Sequence, residues 1–114
     1  MKHLLIAFLF TPGAALAEDL ASADAIRAAI IGNTVEGAMS ASGGYAEYYA
    51  ADGTIRAADY QGRWSFAGKT MCFAYGEDPA TCFGAQISGA KVVWIGVSGE
   101  EGSGTIRSGN PGGW

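Results

Sequence analysis

The chain has 114 residues, 49% of them hydrophobic, with 11 acidic side chains against 7 basic ones and a formal charge of -4. That length allows one small domain with one modest core. An acidic balance without a basic stripe argues against nucleic acid and against anionic membrane surfaces as partners.

The N-terminus has the parts of a secretory signal. Met1-Lys2-His3 is a short positive region, residues 4–10 are an apolar run, and Ala15-Leu16-Ala17 offers a small-residue cleavage site before Glu18. A run this short cannot cross a ~30 Å hydrocarbon core. No cysteine follows the cleavage site, so no lipid anchor is expected, and no later segment approaches a membrane-spanning length. The expectation is a signal peptide over 1–17, a single β-barrel-like domain over 18–114, and a soluble periplasmic or secreted protein. The only histidine, His3, leaves with the leader. What remains cannot run a Ser-His-Asp or Cys-His mechanism, nor hold a metal through imidazole.

Residues 19–31 form the one helical stretch. Ser22 suits an N-cap, Asp24 falls in the first turn, and Ile26, Ala29 and Ile30 recur at helical spacing. Gly32 stands where a helix-terminating glycine belongs. From Asn33 onward, short β-branched and aromatic runs alternate with glycine-bearing turns every ~8–12 residues, the pattern of an antiparallel all-β sandwich or barrel. Expected strands are 33–39, 44–51, 54–60, 63–67, 70–75, 82–87, 91–97 and 104–109. Short connections make this a meander of about eight strands, closed into a small barrel or a strongly curled sheet.

Asp52-Gly53 is the strongest two-residue hairpin signal in the chain. Read that way, Ala50 faces Ile55 and Tyr49 faces Arg56. The period of two then places Tyr48, Ala50, Ile55 and Ala57 inside, with Trp64, Phe66, Met71, Phe73, Tyr75, Phe83, Ala85, Val92 and Trp94. Inward residues of this size predict a filled barrel rather than an open calyx. Tyr45, Glu47, Tyr49, Arg56 and Tyr60 fall outside as a polar-aromatic patch, a candidate binding surface, since Tyr and Arg are enriched at interaction hot spots. Asp59 is the one charge on the inward face, at the barrel mouth.

Cys72 and Cys82 are the only cysteines. Their spacing is neither C-x-x-C nor a haem motif, and in an oxidising compartment an even count reads as one disulfide, here stapling a hairpin outside the core. The glycine-rich residues 102–109 match no phosphate-loop pattern and open no helix, so no nucleotide is expected. Glu77-Asp78 and Glu100-Glu101 read as solvated loop acids, without the spacing of a calcium loop. No metal, no cofactor and no catalytic residue are expected.

Several segments carry a resemblance. Gly-Asn-Thr-Val-Glu-Gly, Tyr-Ala-Glu-Tyr-Tyr-Ala-Ala-Asp-Gly-Thr-Ile-Arg, Gly-Arg-Trp and Met-Cys-Phe-Ala-Tyr, after a signal peptide and short helix, resemble short secreted alphaproteobacterial proteins grouped as domains of unknown function. That likeness spans residues 30–114 and implies no activity. Some chains of this appearance are named dihydrodipicolinate reductases. Such enzymes need a nucleotide-binding Rossmann half and a catalytic histidine, and this pattern supplies neither. Ser42-Gly43-Gly44-Tyr45 is similar to a loop of periplasmic lysozyme inhibitors, and Gly62-x-Trp64 is similar to a lipocalin pair. The expected function is therefore a non-catalytic binding or envelope-resident protein, its partner an unidentified protein or envelope component. The alternatives are a lysozyme-inhibitor-type protein and a calycin-like carrier of a small apolar ligand.

Overall fold

The computed structural model describes residues 20–114; the expected leader, with His3, lies outside them. One helix, α1 (Ala23–Ile30), precedes eight strands: β1 (Thr34–Met39), β2 (Gly43–Tyr49), β3 (Thr54–Arg56), β4 (Gln61–Ala67), β5 (Thr70–Ala74), β6 (Thr81–Ser88), β7 (Lys91–Gly96) and β8 (Gly99–Arg107). Each strand pairs antiparallel with the next, and β8 returns to β1, so the meander closes into a barrel. Closure leaves no free sheet edge.

The helix begins where the Ser22 hydroxyl accepts from the Ala25 amide, and ends before Gly32, whose φ is 86°. Its apolar stripe, Ile26 and Ile30, is fully buried against Val35, Ile55, Met71 and Val92. These residues lie at one end of the barrel, so α1 is its plug. Arg27 caps the plug, its guanidinium 4.3 Å from the Phe66 ring centre and 5.9 Å from that of Trp64. Among the described residues no helix is long and apolar enough to cross a membrane.

The β5–β6 seam carries few ladder partners: Met71–Phe83, Cys72–Cys82 and Phe73–Thr81. The disulfide joins the central pair, with Cα atoms 3.9 Å apart, on the outward side of the sheet as expected. Beyond it, Ala21 donates its amide to the Ala85 carbonyl at 2.7 Å, so the approach to α1 seals the rest of the seam.

The hairpin at Asp52-Gly53 differs from the expected one. Tyr49 pairs with Ile55 and Tyr48 with Arg56. The connection is a three-residue loop, 51–53, closed by the Ala50 amide on the Thr54 carbonyl, with Gly53 at φ 93°. A left-handed glycine ending the turn is the usual three-residue solution. Asp52 also accepts from the Thr54 amide and hydroxyl, holding the loop open by one residue. One residue of slip exchanges the faces of a strand. In β2 it turns Tyr45, Glu47 and Tyr49 inward and Tyr48 outward.

Other corrections are local. β3 stops at Arg56 because the Ala57 amide closes a turn on the Tyr60 carbonyl. Asp59 sits in that turn, exposed, rather than on an inward strand face. β8 starts at Gly99 instead of 104: Gly99-Glu100-Glu101-Gly102-Ser103 has loop composition but is held in the ladder by β7 and β1. The inward assignments of Trp64, Phe66, Met71, Phe73, Phe83, Ala85, Val92 and Trp94 agree with the paired registers.

Candidate functional site

The end of the barrel opposite α1 is open and holds a cavity of about 790 Å³. The expected filled interior is therefore replaced by a cup. The large side chains fill only the plugged half. At the open half, glycines take inward positions: Gly37 lies opposite both Tyr45 and Gly104, and Gly102 lies between Met39 and Trp94. A Cβ on Gly104 would come within 2.7 Å of the Tyr45 hydroxyl. Along the β1–β8 wall these glycines make room for their neighbours, Tyr45 and Val35 over Gly104 and Met39 over Gly102, and the cavity itself is lined from the other strands and the mouth.

The floor is aromatic. Phe73 packs edge-on to Trp94, ring centres 5.2 Å apart, and to Tyr49 at 6.0 Å. Above it stands one carboxylate, Glu47, on the middle of β2 and only 5% exposed. Tyr49 and Tyr60 each donate a hydroxyl to it at 2.6 Å, one to each oxygen, and Tyr75 reaches both oxygens at 3.0 and 2.8 Å. These phenols come from three elements: Tyr49 two residues along the same face of β2, Tyr60 from the turn before β4, and Tyr75 from the end of β5. Tyr75 can lie there because Gly62 beneath it has no Cβ, which would meet the ring at 2.7 Å.

A second polar chain crosses the wall. The Trp94 indole donates to the Tyr45 hydroxyl at 3.0 Å, which donates to the Ser103 carbonyl at 3.2 Å. The phenols stay protonated. Burial, and then the negative Glu47 beside them, holds Tyr49 and Tyr75 far above the usual tyrosine range. Burial and its hydrogen bond to Glu47 do the same for Tyr60. Tyr45 is raised by burial, against the opposing effect of the Trp94 hydrogen bond.

Of the polar-aromatic patch read from the sequence, Tyr45, Glu47, Tyr49 and Tyr60 line this cup, and Arg56 does not. Arg56 lies on the outer wall, bonded to Asp52 at 3.2 Å and 5.9 Å from the Tyr48 ring centre. The patch is thus an interior lining rather than an outer surface. Asp59 takes no part in the lining. Phe73, Tyr75 and Trp94, read as core alone, are also walls of the cup. Glu101, read as a solvated loop acid, lines the rim. It is the extra residue of a bulge, since Trp94 pairs with Gly102 and Ile95 with Glu100, and bulges re-aim side chains in this way.

Among the described residues lining the cup there is no histidine, thiol, lysine or arginine. No group of three or more His, Cys, Asp or Glu converges as a metal set among the described residues. The arrangement offers a ligand apolar surface below and an acceptor-rich carboxylate and phenol cluster at its side. Comparison with family models, curated proteins and solved structures found no match.

Proposed function

We propose that this protein is a non-catalytic carrier that holds one small, largely apolar molecule in the cup of its barrel, in the periplasm or outside the cell. The observation that carries the reading is the 790 Å³ cavity, plugged below by α1 and walled by aromatic side chains. Sites for small molecules have this size and this mixture of apolar walls with few convergent polar groups. The aromatic patch that would have served a protein partner from outside faces the cup instead. Ser42 and Tyr45 of the inhibitor-like loop also line it. The export half of the reading is supported by the leader pattern and by the disulfide, a bond of oxidising compartments.

Titration with the neutral fluorophore N-phenyl-1-naphthylamine tests the carrier. Dye emission should rise to saturation at one site per chain while emission from Trp94, in the cup wall, is quenched. Thr81→Trp, an exposed inward position at the mouth beside Phe73, should abolish binding with an unchanged far-ultraviolet circular dichroism spectrum. Failure to bind this dye or any small probe would end the carrier reading.

A further inference from the structure

The carboxylate in the cup has no counter-cation among the described residues. Glu47 is 5% exposed, yet the ion pairs among the described residues, Arg56–Asp52 and Arg107–Glu36, lie elsewhere. A buried charge ordinarily requires a partner, and three phenol hydrogen bonds supply dipoles rather than positive charge. The proton count leaves room for one. Two carboxylate oxygens offer about four acceptor sites, whereas three phenols bring one proton each. The phenol oxygens, having given their protons to Glu47, also present acceptor lone pairs to the cup. The cluster is thus rich in acceptors and poor in donors.

The surroundings carry the same sign. Among the described residues Glu101 is the other carboxylate in the lining, and no lysine or arginine joins them. The connections at the open end are residues 40–42, 57–60, 75–80 and 97–98. They bring Asp59, Glu77 and Asp78 and no basic residue. A cleft ringed by one sign of charge concentrates ions of the other. The floor and walls, Phe73, Trp94, Tyr49 and Tyr75, present ring faces and edges to the same space, and aromatic walls are suited to organic cations.

We propose that the molecule taken up is an organic ammonium ion: an amine with an aromatic or aliphatic body, its body on the Phe73–Trp94 floor and its N–H groups on Glu47 and the tyrosine oxygens around it. This rests on the carrier reading and adds the class of ligand.

The test uses three probes of one shape, 2-phenylethylamine, 2-phenylethanol and 3-phenylpropionate, measured by calorimetry and by displacement of the neutral dye. The amine should bind about tenfold tighter than the alcohol, and the carboxylate weakest. N-acetylation of the amine, which removes its charge, should erase the advantage. Glu47→Gln should level amine and alcohol while the dye still binds. Where that variant fails to fold, the wild-type order of the probes decides alone. Dye binding with no preference for the amine, or with a preference for the carboxylate, overturns the ammonium assignment and leaves the carrier standing. Absence of binding by the dye and all probes overturns both.

Discussion

The two ends of this barrel are built from the same strands and by opposite rules. At the plugged end, Ile26, Ile30, Val35, Ile55 and Val92 are fully buried, with Lys69 in the β4–β5 turn and Lys91 at the start of β7. At the open end a cavity lies between aromatic walls, the buried polar residue is an acid, and the loops are acidic. One end concentrates the apolar contacts that hold the fold together. The other leaves a volume unfilled and keeps a charge in it, both of which oppose folding. A molecule with a binding cup must compensate for it somewhere, and here the somewhere is ten or so ångströms along the same strands, about three residues of rise.

The difference is largest in truncation of the plug. Ile26→Ala removes a fully buried branched side chain from beneath the core, and should cost about 2–4 kcal/mol of stability. Equilibrium unfolding in urea reads it, with the dye titration run in parallel. Tyr60→Phe at the mouth removes one hydrogen bond from a residue 42% exposed, and should cost about 1 kcal/mol or less because water replaces it. Equal losses at the two positions would show that the ends share the stabilising role.

The seam between the ends gives the next effect. The disulfide crosses β5–β6 beside the mouth, where the ladder is short, and closes a loop of sequence separation 10. On the chain-entropy account such a closure is worth roughly 2.5–3 kcal/mol. The double variant Cys72→Ser, Cys82→Ser should lose about that much in urea, and should loosen dye binding as well, because Thr81 and Phe83 line the cup on the strand it ties. Ile26→Ala, remote from the mouth, should leave dye affinity unchanged in the folded fraction. A disulfide variant with unaltered binding would place the strap on the stability side of the comparison alone.

The plugged end was legible in the sequence, and the open end was not. Helical spacing of Ile26 and Ile30, the Ser22 cap and period-two alternation from Trp64 to Trp94 carry their own geometry, and the structure follows them. The cup depended on a single turn. Asp52-Gly53 matches a two-residue hairpin, but Asp52 spends its carboxylate on Thr54, and the loop takes Ala51 as a third member. That one residue decides whether Tyr45, Glu47 and Tyr49 face solvent or each other. The convergence of Tyr60 and Tyr75 on Glu47 was beyond any local pattern, because it joins residues 13 and 28 positions away.

The ends also separate by pH. Tyr49 is buried, and its phenol is held well above the ordinary value of 10.0, by burial first and then by the charge of Glu47. Tyr75 is shifted in the same direction for the same reasons. In the unfolded chain these groups release protons near pH 10, whereas in the folded barrel they keep them. The folded state therefore binds more protons above that point, and stability falls as pH rises. The contribution is fully present below about pH 10 and is lost as pH climbs from there toward the raised folded values. Each such proton makes the loss about 1.4 kcal/mol per pH unit. Urea midpoints between about pH 9 and 11 should fall with a slope that steepens toward this value above pH 10, and Tyr49→Phe should flatten it by one proton's worth. The cost of Ile26→Ala should be the same at every pH in that range, since the hydrogen bonds that hold the phenols on Glu47 involve no residue of α1.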